Sequence, residues 1–443
     1  MIKYRVCCLE ASFVKSVIEP RLLKGFRDFL PDEQSARQVM LDGITKAFEL
    51  CGFAPLSTPA IEYADILLGK YGDEGEKLLY KFQDNGGREV ALRYDLTVPL
   101  ARVMAQYRDI QKPFRRYQVG TVWRAEKPAH GRFREFMQCD ADIVGTASPL
   151  ADTDCIAAGI MGLRSLGLDR FVVRLGHRGV LNDVLQGFGV QLASAQADVL
   201  RNLDKLDKIG RDAVVELMVE QGLLESAAAS ALLDTISSDS LPEPHDESGA
   251  AGRAHLAGVI AALKDMGFAD FIKIDLSIAR GLDYYTGTVY ETSLLDLPSV
   301  GSVMSGGRYD CLLETYGMPE VPAVGISIGV DRLFAALCEL GQAPVGGAGS
   351  DAVVCVLGNE ALASALALVS ELRAAGVSCE AAPEPESKLK KQLAYVVRRG
   401  ARYAILLGGD EVLQGVVTLK DLLTGEQTQV GRHEVASALK RGV

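Results

Sequence analysis

Residues 114–145 read FRRYQVGTVWRA (114–125), EKPAHG (126–131) and RFREFMQCDADIVG (132–145). Two extended segments joined by a short polar loop are the pattern of an antiparallel pair. In the second segment Phe133, Met137, Cys139, Ala141 and Ile143 share one parity, interrupted by Glu135. Arg132, Arg134, Gln138, Asp140 and Asp142 share the other, interrupted by Phe136. Alternate side chains of a strand project from one face, so Arg132, Gln138 and Asp142 are expected along one polar face of a half-buried strand. Such a face suits solvent as well as a ligand, and the segment alone does not choose between them.

Working outward, Met40, Ile44, Ala47, Phe48 and Cys51 recur at helical spacing and predict a helix over 32–52. EVALRY (89–94) predicts a strand, and a helix follows from Leu96 to Tyr107. FVVRL (171–175), FIKIDLSI (271–278), YYTGTVYET (284–292) and VPAVGISIGV (321–330) read as further strands, the last running into a helix at DRLFAALCEL. SVMSGGRYD (302–310) is read with a turn at its Gly-Gly pair. Between about 185 and 268 Ala, Leu, Asp and Glu dominate, which predicts a mostly helical insertion. GQAPVGGAGS (341–350) has the composition of a linker. Beyond it strand and helix patterns alternate, with helices expected over 360–375 and 386–399, predicting a small α/β domain with a largely parallel sheet over 351–443. The expected class is therefore α+β: an antiparallel core flanked by helices over 22–340, interrupted by the insertion, then a linker and an α/β domain, with residues 1–21 unassigned.

The 443 residues are 48% apolar and 24% charged, which is ordinary for a globular protein and excludes a disordered or collagenous chain. No uncharged apolar run approaches the ~20 residues of a membrane span, and Met1–Pro20, broken by charges, lacks the form of a secretory signal. A cytoplasmic protein without a membrane partner is expected. Nine scattered cysteines without a CxxC pair predict reduced, mostly buried thiols, and the five histidines have no zinc spacing, so no metal site is read from protein ligands alone. The net charge of −11 argues against indiscriminate nucleic-acid binding. It is unevenly spread, however: residues 351–443 hold 11 basic and 11 acidic residues, and six of those basic residues fall between Lys388 and Arg402. This basic face suits either solvent or phosphates.

There is no GxxxxGK[ST] loop, no strand–GxGxxG–helix fingerprint and no GxSxG elbow. A nucleotide would therefore be held by arginines on an antiparallel sheet. Arg124 in VWRAE, Arg280 in ARGLDYY and Arg332 in IGVDRL stand at element ends. A planar guanidinium fork matches phosphate oxygens, and at a helix start it sits beside a positive dipole end.

LRYDLTVPLAR (92–102), the 114–145 hairpin, ARGLDYYTGTVYE (279–291), SGGRYD (305–310) and VPAVGISIGVDRL (321–333) together closely resemble the class II histidyl-tRNA synthetases. LLKGFRDFLPDE (22–33) and LLGKYGDEGEKLLY (67–80) also look like that family, and the resemblance runs in order from residue 22 to 443. The wording DLT and QCDADIVG looks closer to its eukaryote-like branch.

The resemblance implies activation of L-histidine with ATP and Mg2+ to histidyl-adenylate and pyrophosphate, then transfer to the terminal adenosine of tRNA(His) by a homodimer. It assigns Arg124 to the α-phosphate, Arg280 to the charge developing there, and Arg332 to the γ-phosphate of a bent ATP. It further places Arg132 on the loop closing over ATP and Glu126 near the adenine. The substrate's ammonium asks for acceptors that Asp95, Thr97 and Gln138 can supply. Asp142 and Tyr285 match the imidazole partners, with Tyr284 and Tyr309 lining the pocket. His130 and His177 are read as a loop residue and a structural residue. The tail resembles an anticodon-binding module, in which Lys388, Lys390, Lys391, Arg398 and Arg399 could track the tRNA backbone. The rival reading is a non-catalytic paralogue, the regulatory subunit of ATP phosphoribosyltransferase, which usually lacks the tail and has eroded the arginine positions that this chain keeps.

Overall fold

The computed structural model describes residues 18–68, 77–128, 131–278, 285–318, 321–345 and 349–441. These form two compact units, residues 18–28 with 41–343, and residues 29–40 with 344–441. Helix α1 (Pro31–Leu50) buries Met40, Ile44, Ala47 and Phe48, the positions at helical spacing. It stops short of the expected residue 52 because Gly52 takes φ +79°, outside the right-handed helical region.

The first unit is built on eleven strands: β1 (Ala54–Pro55), β2 (Ile61–Tyr63), β3 (Lys81–Gln83), β4 (Glu89–Leu92), β5 (Phe114–Trp123), β6 (Glu135–Val144), β7 (Phe171–His177), β8 (Ile272–Ile274), β9 (Thr288–Leu294), β10 (Ser302–Arg308) and β11 (Ala323–Gly329). Eight of them form one sheet in the order β1-β5-β6-β11-β10-β9-β7-β8, and β2, β4 and β3 form a small antiparallel sheet. The large sheet is antiparallel except at its two outer pairs, β1 with β5 and β7 with β8. Its helices include α2 (Thr97–Gln106) and α3 (Pro149–Arg164). Ser148 caps α3 by accepting from the Leu150 amide at 3.3 Å, and Pro149 occupies its first turn. This helix backs the sheet so closely that a Cβ on Gly159 would lie 2.3 Å from Ile326 Cδ1. Cys139, Ala141 and Ile143 on that face of β6 are buried, which leaves the opposite parity for Gln138, Asp140 and Asp142.

The insertion consists of α4 (Arg178–Gly187), α5 (Ala193–Leu203), α6 (Arg211–Glu220), α7 (Ser226–Ile236) and α8 (Glu247–Asp265), with a short helical turn at Leu206–Ile209. His177 caps α4, its Nδ1 accepting from the Gly179 amide at 3.1 Å. α9 (Val330–Glu339) follows β11 directly.

Two readings are corrected here. The 271–278 strand shrinks to β8, because the Asp275 carboxylate accepts from both the amide and the hydroxyl of Ser277 and folds the chain into a turn. Gly306 and Gly307 lie within β10, not in a turn. A Cβ on Gly306 would meet the Gly325 carbonyl oxygen at 2.1 Å, so this pair serves close backbone approach. The described cysteines are free and mostly buried, as expected: Cys139, Cys155, Cys355 and Cys379 are buried, and Cys311 and Cys338 are exposed.

The second unit runs β12 (Ala352–Leu357), α10 (Leu362–Ala374), β13 (Cys379–Ala381), α11 (Leu389–Arg398), β14 (Tyr403–Gly408), α12 (Gly409–Gln414), β15 (Val416–Asp421), β16 (Gln427–Gly431) and α13 (Val435–Arg441). Its sheet is mixed, not largely parallel: β12 is parallel to β13 and β14, but β14–β15 and β15–β16 are antiparallel. A parallel crossover needs about a dozen residues or more, and the six-residue α12 and the turn after Asp421 are too short. No helix among the described residues is long and apolar enough to cross a membrane.

Candidate active site

The central strands put three rows of side chains on one face. Register pairs Gly120 with Gln138, Gln118 with Asp140, and Arg116 with Asp142 across β5 and β6. Across β6 and β11 the same three residues face Gly329, Ser327 and Gly325. A Cβ on Gly325 would lie 1.8 Å from Asp142 Oδ1, so only glycine leaves that carboxylate its place. Above these rows is a cavity of about 500 Å³. Asp95, Thr97, Arg124, Glu126, Arg132, Gln138, Asp142, Tyr285, Tyr309 and Arg332 all line it. Arg280 and Tyr284, all of GKYGDEGE (69–76) and His130 lie outside the described residues.

One part of the cavity wall is cationic. Arg124, one residue past β5, lays its guanidinium 4.3 Å over the Tyr94 ring and 5.1 Å from that of Phe136, and its Nε donates to the Tyr94 carbonyl at 3.3 Å. Stacking fixes the plane of the fork while its edge can meet an anion. Arg332, in the first turn of α9, donates from Nη1 to the Ser302 carbonyl at 2.7 Å. Its neighbour Asp331 accepts from the Met137 amide at 2.6 Å and from Arg27, tying α9 to β6. Arg132 stands 3.6 Å from Glu126 and remains about half exposed. Arg132 does not share the strand face predicted for it, because β6 begins only at Glu135. Ahead of that point the Arg134 carbonyl still accepts from the Arg124 amide at 2.9 Å, but its own amide turns to the Gly25 carbonyl and its Nε to that of Glu126.

The floor is acidic and buried. Asp142 Oδ2 lies 2.7 Å from Nη2 of the fully buried Arg116, and Oδ1 accepts from the Tyr309 hydroxyl. Burial raises the Asp142 carboxyl, opposed by Arg116 and the Tyr309 hydrogen bond. Burial likewise pushes the Tyr309 phenol well above its usual value, with the Asp142 charge adding to it. Asp140 is raised to about 7, first by desolvation and then by the charges of Asp142 and Asp95, with Arg116 and a hydrogen bond from Ser327 pulling the other way. Asp95 Oδ1 accepts from the Thr97 and Val98 amides, both at 3.0 Å, and so opens α2.

Sequence reasoning missed Arg116 and gave Asp140 no role. Adjacent arginines on a strand point to opposite faces. Arg115 pairs with Asp154 at 2.5 Å on the partly exposed side, while Arg116 faces the pocket floor.

In the second unit Gln392 pins α11 to β12: its Oε1 accepts from the Val356 amide at 2.9 Å and its Nε2 donates to the Val356 carbonyl at 2.8 Å. Lys388, Lys390, Lys391, Arg398 and Arg399 are exposed on or beside this helix. Lys391 is paired with Glu384, and Arg399 with Glu380 at 2.7 Å.

The family model described as histidyl-tRNA synthetase matches residues 25–333. A histidine–tRNA ligase of Rhodopirellula baltica is 43% identical over 438 residues, covering 96% of this chain and 98% of that protein. The chain belongs to the histidyl-tRNA synthetase family. A histidine–tRNA ligase of Wolinella succinogenes is 41% identical over 449 residues, 97% of this chain and 99% of its own length. The crystal structure of histidyl-tRNA synthetase from Nostoc sp. PCC 7120 superposes with a TM-score of 0.87 at 31% identity, covering 96% of this chain and 100% of that one. Residues 351–442 match the anticodon binding domain model. Membership in the synthetase family implies ATP as a substrate and tRNA as a binding partner.

Proposed function

We propose that this protein is a histidine–tRNA ligase that joins L-histidine to the 3′-terminal adenosine of tRNA(His) through histidyl-adenylate. In the first step a histidine carboxylate oxygen attacks the α-phosphorus of ATP and pyrophosphate leaves. In the second the terminal ribose hydroxyl attacks the carbonyl carbon and AMP leaves. Negative charge gathers around the α-phosphate in the first transition state, and fixed donors aimed there lower the barrier. Arg124 takes the α-phosphate and Arg332 the distal phosphates. By resemblance Arg280 meets the developing charge, Arg132 and Glu126 belong to the closing loop and adenine edge, and Tyr284 lines the histidine pocket. Asp95, Thr97 and Gln138 receive the ammonium. Asp142 and Tyr285 orient the imidazole beside Tyr309.

Magnesium would arrive with the triphosphate. The ion prefers oxygen ligands, usually one or two carboxylates with substrate phosphates. Asp331 is already engaged by Arg27 and the Met137 amide. Glu126 is likewise paired with Arg132, so the triphosphate itself would chiefly hold the ion, which would neutralise charge on the leaving pyrophosphate. The exposed bases of α11 follow the tRNA backbone, and the enzyme works as a cytoplasmic homodimer. The observation that carries this reading is one cavity holding both Arg124 and Arg332 and the acidic floor of β6. Near-full-length identity to ligases favours it over the regulatory subunit. The test is ATP–pyrophosphate exchange with each of the twenty amino acids: exchange with L-histidine alone is expected, and exchange with none, or with a different one, overturns the proposal.

A further inference from the structure

We propose that Asp140, with Gln138 Oε1 beside it, receives the α-ammonium of the amino-acid substrate, and that Ser327 holds these two side chains in place. The proposal rests on the amino-acid-activating reading above and adds a binding residue to it.

Asp140 lies in the middle row of the floor, between Gln118 on β5 and Ser327 on β11, and its side chain lines the cavity. It is 2% exposed. Gln138 Nε2 donates to Ser327 Oγ at 2.6 Å, and Ser327 in turn bonds the Asp140 carboxylate. This relay settles the amide: with Nε2 committed to Ser327, Gln138 must present Oε1 elsewhere. Gln138 Oε1 and Asp140 Oδ1 are both buried and have no hydrogen-bond partner among the described residues. Two buried acceptors without a donor among the described residues, on one strand face and both lining the cavity, ask for a group that is all donor. An ammonium is that group, and neither an imidazole N–H nor a carboxylate would serve both oxygens.

Charge balance agrees. The ionisable groups facing Asp140 are Arg116 from β5, Asp142 from β6, and Arg93 and Asp95 from the segment after β4. Among the described residues, with all of them ionised, three carboxylates against two guanidiniums leave one negative charge, which an incoming ammonium neutralises. Nothing else explains a carboxylate here. Among the described residues it caps no helix and pairs with no guanidinium at contact distance, unlike Asp95 and Asp142. An uncompensated buried charge opposes folding, so its presence is better accounted for by the ligand than by the fold.

The experiment measures equilibrium binding of three ligands to the full-length protein: L-histidine, L-histidinol, which keeps the ammonium but lacks the carboxylate, and 3-(imidazol-4-yl)propionate, which lacks the ammonium. Asp140→Asn is expected to weaken histidine and histidinol by about 10- to 100-fold, the range for a lost charge-assisted hydrogen bond. The propionate and ATP should stay within about twofold. Ser327→Ala should give a smaller loss with the same pattern. Equal weakening of all three imidazole ligands would make Asp140 a structural residue and overturn the proposal, as would unchanged histidine binding. Wild-type protein that takes up another amino acid instead, with Asp140→Asn selectively weakening that acid against its deamino analogue, would refute the histidine reading and leave the ammonium site standing.

Discussion

Asp140→Asn should stabilise the ligand-free protein, and by an amount that grows with pH. In the fold burial lifts this carboxyl from 3.8 to about 7. A raised acid pKa means that the folded state holds the proton more tightly than the unfolded one. The resulting penalty is absent below pH 3.8, grows as pH rises, and is complete above pH 7. Its full size is about 4 kcal/mol, and about 2 kcal/mol of it is already present at pH 5. The isosteric amide has no charge to bury. Its NH2 can donate to the unpartnered Gln138 Oε1 beside it, and any residual cost is the same at every pH. The clean quantity is therefore the change in the mutant-minus-wild-type gap, which should widen in the mutant's favour by about 2–3 kcal/mol between pH 5 and pH 8. Calorimetric or denaturant unfolding of both proteins without histidine, across that range, reads it directly. A gap that stays flat would refute the claim that Asp140 is a buried carboxyl facing Asp142 and Asp95. Saturating histidine should shrink the gap, because its ammonium compensates the wild-type charge alone.

Asp142→Asn should act in the opposite direction. It strips the fully buried Arg116 of its counter-ion, which costs about 3–5 kcal/mol when one partner of such a pair is removed. Denaturant midpoints read that loss, and titrations should show histidine affinity falling more than ATP affinity; equal loss of both would remove Asp142 from the histidine pocket. His177 gives a second pH signature. Desolvation and the neighbouring His255, partly opposed by Asp152, lower it from 6.5 to about 4. The unfolded chain therefore binds a proton first as pH falls, and about 3 kcal/mol present above pH 6.5 is lost by pH 4. His177→Asn keeps a cap acceptor for the Gly179 amide and should flatten that acid limb in unfolding experiments; an unchanged limb would place the titrating group elsewhere.

The antiparallel core was legible because its strands obey local rules. The 114–145 alternation needs only the period of a pleated strand, and Gln138 and Asp142 do share the predicted face. Arg124 and Arg332 line one cavity although 208 positions separate them (332 − 124), and here the family resemblance supplied what periodicity could not. The failures share a cause, which is that pairing partners decide what a segment does. Gly306-Gly307 has turn composition, but β9 and β11 on either side draw it into a strand. Arg132 keeps the parity of Asp142, yet the β5–β6 ladder ends at the pair Trp123–Glu135, before it reaches Arg132. Arg116 is invisible for the same reason. Its facing Asp142 follows from the β5–β6 register, which depends on where the loop lets pairing begin.

Asp140 and Asp142 show why residue type and face do not settle a role. They stand two positions apart on one strand, point into the same cavity and are equally buried at 2%. Across the strand Asp142 meets a guanidinium, whereas Asp140 meets the amide Gln118 and the hydroxyl of Ser327. Among the described residues one carboxylate therefore has a guanidinium at contact distance and the other does not. Removing the first should destabilise the empty protein and removing the second should stabilise it, while each should weaken the amino acid. A residue that improves ligand-free stability when removed but impairs binding is one whose missing partner comes from outside the chain. That pair of opposite signs, measured in the same buffer, separates a ligand-directed carboxylate from a structural one without any appeal to catalytic rate.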